Sequence, residues 1–175
     1  MCDINMQQKT LPRGFIGYKG SSIENWDKGD ETKDWSGCYI GQSIEQAKGY
    51  IIGDSGNGIS SVWRCMLKNS VNAYCFTGSY LADSSVSCLE KAKRVKEIIH
   101  IEKKKLLIPT LGERNYVYQG PEIEDRIETI IPWSLVDKLI EHEKYREYKI
   151  KNYDVVAWRN PGKKDWSSMS EEPKN

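Results

Sequence analysis

An α+β fold is what this 175-residue sequence predicts, and three observations predict it. Several short stretches alternate with a two-residue period, the mark of strands. Two others begin with a Ser-x-x-Glu/Gln cap and continue with an apolar stripe, the mark of helices. The two kinds of element succeed one another without a regular βαβ rhythm, which disfavours a doubly wound parallel sheet.

In chain order, Gly14 to Tyr18 reads as a first strand, and Ser21-Ser22-Ile23 opens a brief helix that Gly29 ends. Lys33 to Ile40 reads as a second strand. Ser43 then starts a helix with Gln46 at the capping-box position, and its apolar stripe is Ile44, Ala47 and Ile51. Residues 53–58 hold three glycines and form a loop. Ser61 to Leu67 alternates Val62, Arg64 and Met66 against Trp63, Cys65 and Leu67, and Val71 to Phe76 follows as another strand. Ser87 to Ile101 is a helix with a second cap, Ser87 and Glu90, and apolar positions at Leu89, Ala92, Val95 and Ile99. Arg114 to Gln119 and Ile127 to Ile131 are strands around the loop Gly120 to Arg126, and Tyr153 to Trp158 is the last strand.

One domain is expected from the length, since domains commonly hold about 100–200 residues. Residues 13–159 form it; residues 1–12 and the tail 160–175, with Pro161, Gly162 and Pro173, are expected to be loose. The chain carries 26 basic and 25 acidic residues, a net charge of +1, which excludes a generic polyanion binder and makes nucleic acid an unlikely partner. No apolar run approaches the roughly 18 residues of a membrane-spanning helix, so no membrane partner is expected. Met1 to Gln8 lacks the basic-then-apolar order of a signal peptide. Cys2, Cys38, Cys65, Cys75 and Cys88 are odd in number and irregularly spaced. They suit reduced thiols and offer neither a disulfide framework nor a zinc pair, so no metal is expected.

Three constellations invite a chemical reading. Gly53-Asp54-Ser55-Gly56 echoes the loop around a serine protease nucleophile, but a triad needs an orienting His and Asp. His100 and His142 both lie in charged surroundings, and the loop has no Walker Lys-Ser/Thr pair either. Lys91, Lys93, Arg94 and Lys96, followed by Lys103-Lys104-Lys105, make a basic helix face that solvation explains three times in four. The third set is dispersed: Gly17-Tyr18-Lys19-Gly20-Ser21, Asp34-Trp35-Ser36-Gly37-Cys38-Tyr39, Tyr50, and Glu128-Thr129-Ile130-Ile131-Pro132-Trp133. Glu128 is its odd member, a carboxylate inside an apolar strand. Aromatic walls with one carboxylate would suit a flat cationic ring such as nicotinamide.

This third set resembles the mono-ADP-ribosyltransferase toxins of the diphtheria toxin and exotoxin A type, and more loosely the poly-ADP-ribose polymerases. Gly17 to Ser21 is similar to the family's Gly-Tyr-His-Gly-Thr strand, and Asp34 to Tyr39 to its Asp-Trp-Lys-Gly-Phe-Tyr. Tyr50 follows Tyr39 at the interval those toxins keep. Gly120 to Ile130 matches the exotoxin A stretch that ends in its catalytic Glu, and Trp133 repeats a downstream Trp. The four blocks occur in the family's order over residues 13–135. Lys19 stands where the family has His. Arg126 stands where arginine-modifying relatives carry Glu or Gln, which argues against arginine as acceptor.

The resemblance implies two packed antiparallel β-sheets with an NAD cleft and flanking helices. It implies that Glu128, Tyr39 and Tyr50 are catalytic, with NAD held by Tyr18, Lys19, Gly20, Ser21, Tyr39 and Tyr50. In that scheme Glu128 accepts the ribose 2′-hydroxyl, the two tyrosines flank the nicotinamide and Gly20 holds its carboxamide. Lys19 lies by the adenosine ribose. Glu122, Glu124 and Arg126 would face the acceptor protein. The implied protein is a monomeric bacterial toxin or injected effector acting in the host cytoplasm. Its acceptor would be diphthamide on elongation factor 2, or a threonine or other non-arginine residue, ubiquitin included. The alternative is a catalytically silent binding module of the same fold.

Overall fold

The computed structural model describes residues 4–27, 37–87, 89–91, 93–98, 117–120 and 126–174. Its strands are β1 (Asn5–Leu11), β2 (Ile16–Ser21), β3 (Cys38–Gly41), β4 (Gly58–Leu67), β5 (Val71–Thr77), β6 (Val117–Gln119), β7 (Glu128–Ile131), β8 (Ile140–Lys151), β9 (Asp154–Arg159) and β10 (Ser167–Ser168). The helices are α1 (Ile44–Lys48), α2 (Ser79–Ala82), α3 (helical residues within 89–98) and α4 (Trp133–Leu139). The protein is thus a mixed α+β fold with one large, mostly antiparallel sheet and few helices.

The ten strands lie in the order β1-β5-β6-β7-β3-β2-β4-β8-β9-β10, with β5 and β6 the parallel pair. The joint in the middle is narrow. β2 meets β3 at the single pair Tyr18↔Gly41, whereas it meets β4 at six, from Ile16↔Met66 to Ser21↔Ser61. Five strands therefore lie on each side of this one-pair joint. One core gathers residues from both halves: Leu11, Cys38, Ile40, Ala73, Val117 and Ile131 from one, and Trp63, Cys65, Leu67 and Ile140 from the other, with Trp133 and Val136 of α4. A second core lies under α1, where Ile44, Ala47 and Ile51 pack with Val62, Tyr148 and Trp158. A third joins Tyr74 and Phe76 to Leu81 and Val95 under α2 and α3.

The residues that read as alternating strands are strands. Ile44, Ala47 and Ile51 are buried as their spacing requires, and Ser43 caps α1 by accepting from the Gln46 N–H at 3.1 Å. Four expectations need correction. Residues 5–11 are not loose: they form β1, paired with β5 along its whole length from Asn5↔Thr77 to Leu11↔Val71. Their polar side chains suit an edge strand whose outer face meets water. The tail is not loose either. Trp158 Nε1 donates to Ser168 O at 2.9 Å, and Met169 packs into the core under α1. No helix follows Ser21 within residues 22–27, because Ser21 ends β2 opposite Ser61 and its hydroxyl accepts the Ile23 N–H in a tight bend. Finally, β8, twelve residues at the centre of one half, and α4 arise where no element was expected. The expected strand segments 33–36 and 114–116, and the end of the 87–101 helix, lie outside the described residues.

Candidate active site

The site forms where the two halves meet. Register fixes which side chains share a face, because directly paired residues point the same way. Gly41 pairs with Tyr18 on one side and with Glu128 on the other, and Tyr39 pairs with Ile130 two positions along. Tyr18, Tyr39 and Glu128 therefore stand on one face of the sheet, across three adjacent strands. α1 covers the same face and brings Tyr50 with it.

Gly20 explains how α1 approaches so closely. A Cβ at this position would lie 1.9 Å from the Ala47 carbonyl oxygen and 3.3 Å from the Tyr50 Cβ. Only glycine lets the last turn of the helix rest on the strand. Tyr50 then follows through its backbone, its N–H donating to Ala47 O at 3.1 Å. The Tyr50 side chain is 57% exposed, open to a ligand from solvent, and its hydroxyl donates to the Glu128 carboxylate. Burial pushes the Glu128 carboxyl above the ordinary glutamate range, and the Tyr50 hydrogen bond offsets part of that rise.

Two glutamines hold the start of β7. Gln42 Oε1 accepts from the Ile127 N–H at 3.2 Å, and Gln46 Nε2 donates to Ile127 O at 3.4 Å. Gln46 Oε1 also accepts the Gln42 N–H at 2.9 Å, so it leaves the capping-box partner its sequence position suggested and braces the site instead. Gly120 N–H adds a bond to Glu128 O at 3.0 Å. Sequence reasoning missed Gln42 altogether, and no spacing rule would have marked it.

The structure does not bring Lys19 to this face. One residue on from Tyr18, it pairs with Trp63, and its ammonium stands 5.4 Å from the centre of the Trp133 ring in the core between the halves. Ser21 uses its hydroxyl in the local bend. Arg126 is exposed, two residues before Glu128; Glu122, Glu124 and the motif residues Asp34 to Ser36 lie outside the described residues. A shallow hollow of about 340 Å³, lined by Arg64, Met66, Glu141, His142 and Glu143, lies one strand beyond Tyr18, which pairs with Arg64.

The rival motifs are absorbed by packing. Ser55 Oγ donates to Asn57 O at 3.1 Å in a turn, and Tyr153 Oη donates to Asp54 O at 2.8 Å. His142 is stacked on Trp26 with ring centres 3.8 Å apart. Cys38 and Cys65 are free and buried, and Cys75 is free. No group of three His, Cys, Asp or Glu residues able to hold a metal occurs among the described residues. No protein-family model matches the chain, and no curated protein matches it.

Proposed function

We propose that this protein is a mono-ADP-ribosyltransferase of the bacterial toxin and effector class, which cleaves NAD and passes ADP-ribose to a non-arginine side chain of a host protein. The observation that carries this reading is the placement of Tyr39 and Glu128 on one face of the sheet, with Gly20 admitting the turn of α1 that brings Tyr50 to them. The narrow joint at Tyr18↔Gly41 within the ten-stranded sheet supports the reading further, since it sets two groups of five strands side by side around these residues.

The chemistry follows from those groups. The bond between nicotinamide and the ribose C1′ breaks heterolytically, its electron pair leaving with the neutral nicotinamide. The ribose passes through an oxocarbenium-like state, whose positive charge a nearby carboxylate stabilises. Glu128 supplies that carboxylate and accepts the ribose 2′-hydroxyl. Tyr39 and Tyr50 offer aromatic faces to the cationic ring. The acceptor side chain forms the new bond to C1′ and releases its proton to solvent.

The test is labelling of a eukaryotic lysate with biotinylated NAD by the wild type and by Glu128→Ala. A discrete labelled band that disappears in the variant is expected. No band, together with no nicotinamide release by the wild type, would overturn the assignment and leave a silent binding module of this fold.

A further inference from the structure

Glu172 lies in the tail, 44 residues beyond Glu128 in sequence, yet its side chain is 8% exposed and both carboxylate oxygens are engaged. Its Oε1 accepts from Arg146 Nη1 at 3.0 Å and from Tyr148 Oη at 2.5 Å, both on β8. Its Oε2 accepts from Lys48 Nζ at 2.9 Å, and Lys48 is the last residue of α1. The partners are withdrawn from water as well: the Arg146 side chain is 4% exposed and Lys48 19%. Buried charges with this many hydrogen bonds fix geometry, since each donor must meet one carboxylate from its own direction.

The route from this carboxylate to the site is short. Lys48 O accepts the Ile51 N–H at 3.4 Å, and Ala47 O accepts the Tyr50 N–H at 3.1 Å. The turn that Glu172 grips is therefore the turn that sets the Tyr50 ring against Glu128. Lys48 carries a second tie to β8 through its ammonium, 5.5 Å from the centre of the Tyr148 ring. Other contacts hold α1 at its start, through Gln46 and Ser43. At its end, Ser60 Oγ donates to Ile51 O at 2.6 Å, and the side-chain grip comes from Glu172.

We infer that Glu172 is a positioning residue: the C-terminal segment is a latch that, through Lys48, holds the end of α1 and fixes Tyr50 as a wall of the NAD pocket. The inference rests on the ADP-ribosyltransferase reading for its kinetic consequence and on the geometry alone for its structural one. Glu172→Gln places an amide donor against the ammonium or guanidinium donors and weakens the latch. Lys48→Met is the more selective change, since it frees α1 while Glu172 keeps Arg146 and Tyr148.

Both variants of the full chain should be measured for NAD hydrolysis and for hydrogen exchange of the amides at 47–51. Expected are faster exchange at those amides and a KM for NAD raised on the order of tenfold with kcat largely retained, the signature of lost contact made equally to bound substrate and transition state. A merely structural role would lower the active fraction, and so the apparent kcat, without moving KM. Wild-type exchange at 47–51 in a folded Lys48→Met overturns the latch. So does an unchanged KM in both variants. If the wild type itself turns over no NAD, the functional reading falls, and the exchange measurement alone decides the latch.

Discussion

Two carboxylates flank α1 and are treated in opposite ways. Glu172 accepts from an ammonium, a guanidinium and a phenol. Burial pushes its carboxyl upward, but the hydrogen bonds of Tyr148, Lys48 and Arg146 outweigh it and hold the group below the ordinary range. Glu128 is also withdrawn from water, and among the described residues it is Tyr50 that donates to it; its carboxyl stays above the ordinary range. Among the described residues, the one glutamate is met by two cations and the other by none. A carboxylate so under-supplied is costly to keep for structure and available to a positive charge arriving from outside.

The sharpest way to break this comparison is to remove each carboxylate in turn. Glu128→Ala should lower nicotinamide release by on the order of 10²–10³ while leaving the melting temperature near that of the wild type. Glu172→Ala should do the reverse. It strands Arg146 and leaves Lys48 with only the exposed Glu45 at 3.4 Å, a loss of about 3 kcal/mol for a buried pair broken from one side, and retains turnover below its lowered melting temperature. Thermal melts beside an NAD-hydrolysis assay check both. Equal loss of stability in the two variants would remove the distinction.

The same pair can be separated by pH. Glu128 has a raised pKa in the folded chain, so its contribution to stability is full below the unfolded value and is lost as pH rises through the folded one. Glu128→Gln should therefore melt higher than the wild type at neutral pH, with the gap closing as pH falls into the ordinary glutamate range. Glu172 has a lowered pKa, so its stabilisation is full at neutral pH and is lost as pH falls through the folded value. Glu172→Gln should melt lower at neutral pH and converge on the wild type in acid. Melting temperatures against pH should thus give differences of opposite sign for the two substitutions, and like signs would refute the assignment of environments.

How much of this was legible in the sequence differs between the two glutamates for a physical reason. Glu128 stands out because it interrupts Ile127, Ile130 and Ile131, and apolar context is local information. Glu172 sits between Glu171 and Pro173 in a stretch that reads as solvated, and its partners lie 24, 26 and 124 residues away. β8 was hidden likewise. Arg146 and Glu147, adjacent and so on opposite faces, are both buried by pairing with Glu172 and Arg159, so alternation of polarity fails there. A register shift of β4 against β8 between Val62 and Trp63 disturbs the period again. Gly20 was marked by motif, but its need for close approach became visible only with Ala47 above it.

The smallest expected effect concerns Lys19, which stands where the toxins that the sequence resembles carry His. Adjacent strand residues point to opposite faces, and Tyr18 has taken the face of Glu128. Lys19 consequently turns to Trp133 and to the buried thiols. There Cys65 donates to Cys38; that bond and the Lys19 charge lower Cys38 against burial, while the bond and burial together raise Cys65. The ammonium over an indole face is a packing interaction worth about 0.5–1 kcal/mol. Lys19→Met keeps the aliphatic stem and removes the charge. Its KM for NAD should stay within about twofold of the wild type, and stability should fall by no more than the interaction is worth. A KM raised well beyond that, at unchanged melting temperature, would mean that the chain at β2 turns its ammonium toward the cofactor when NAD enters, and that the two faces of this strand exchange roles on binding.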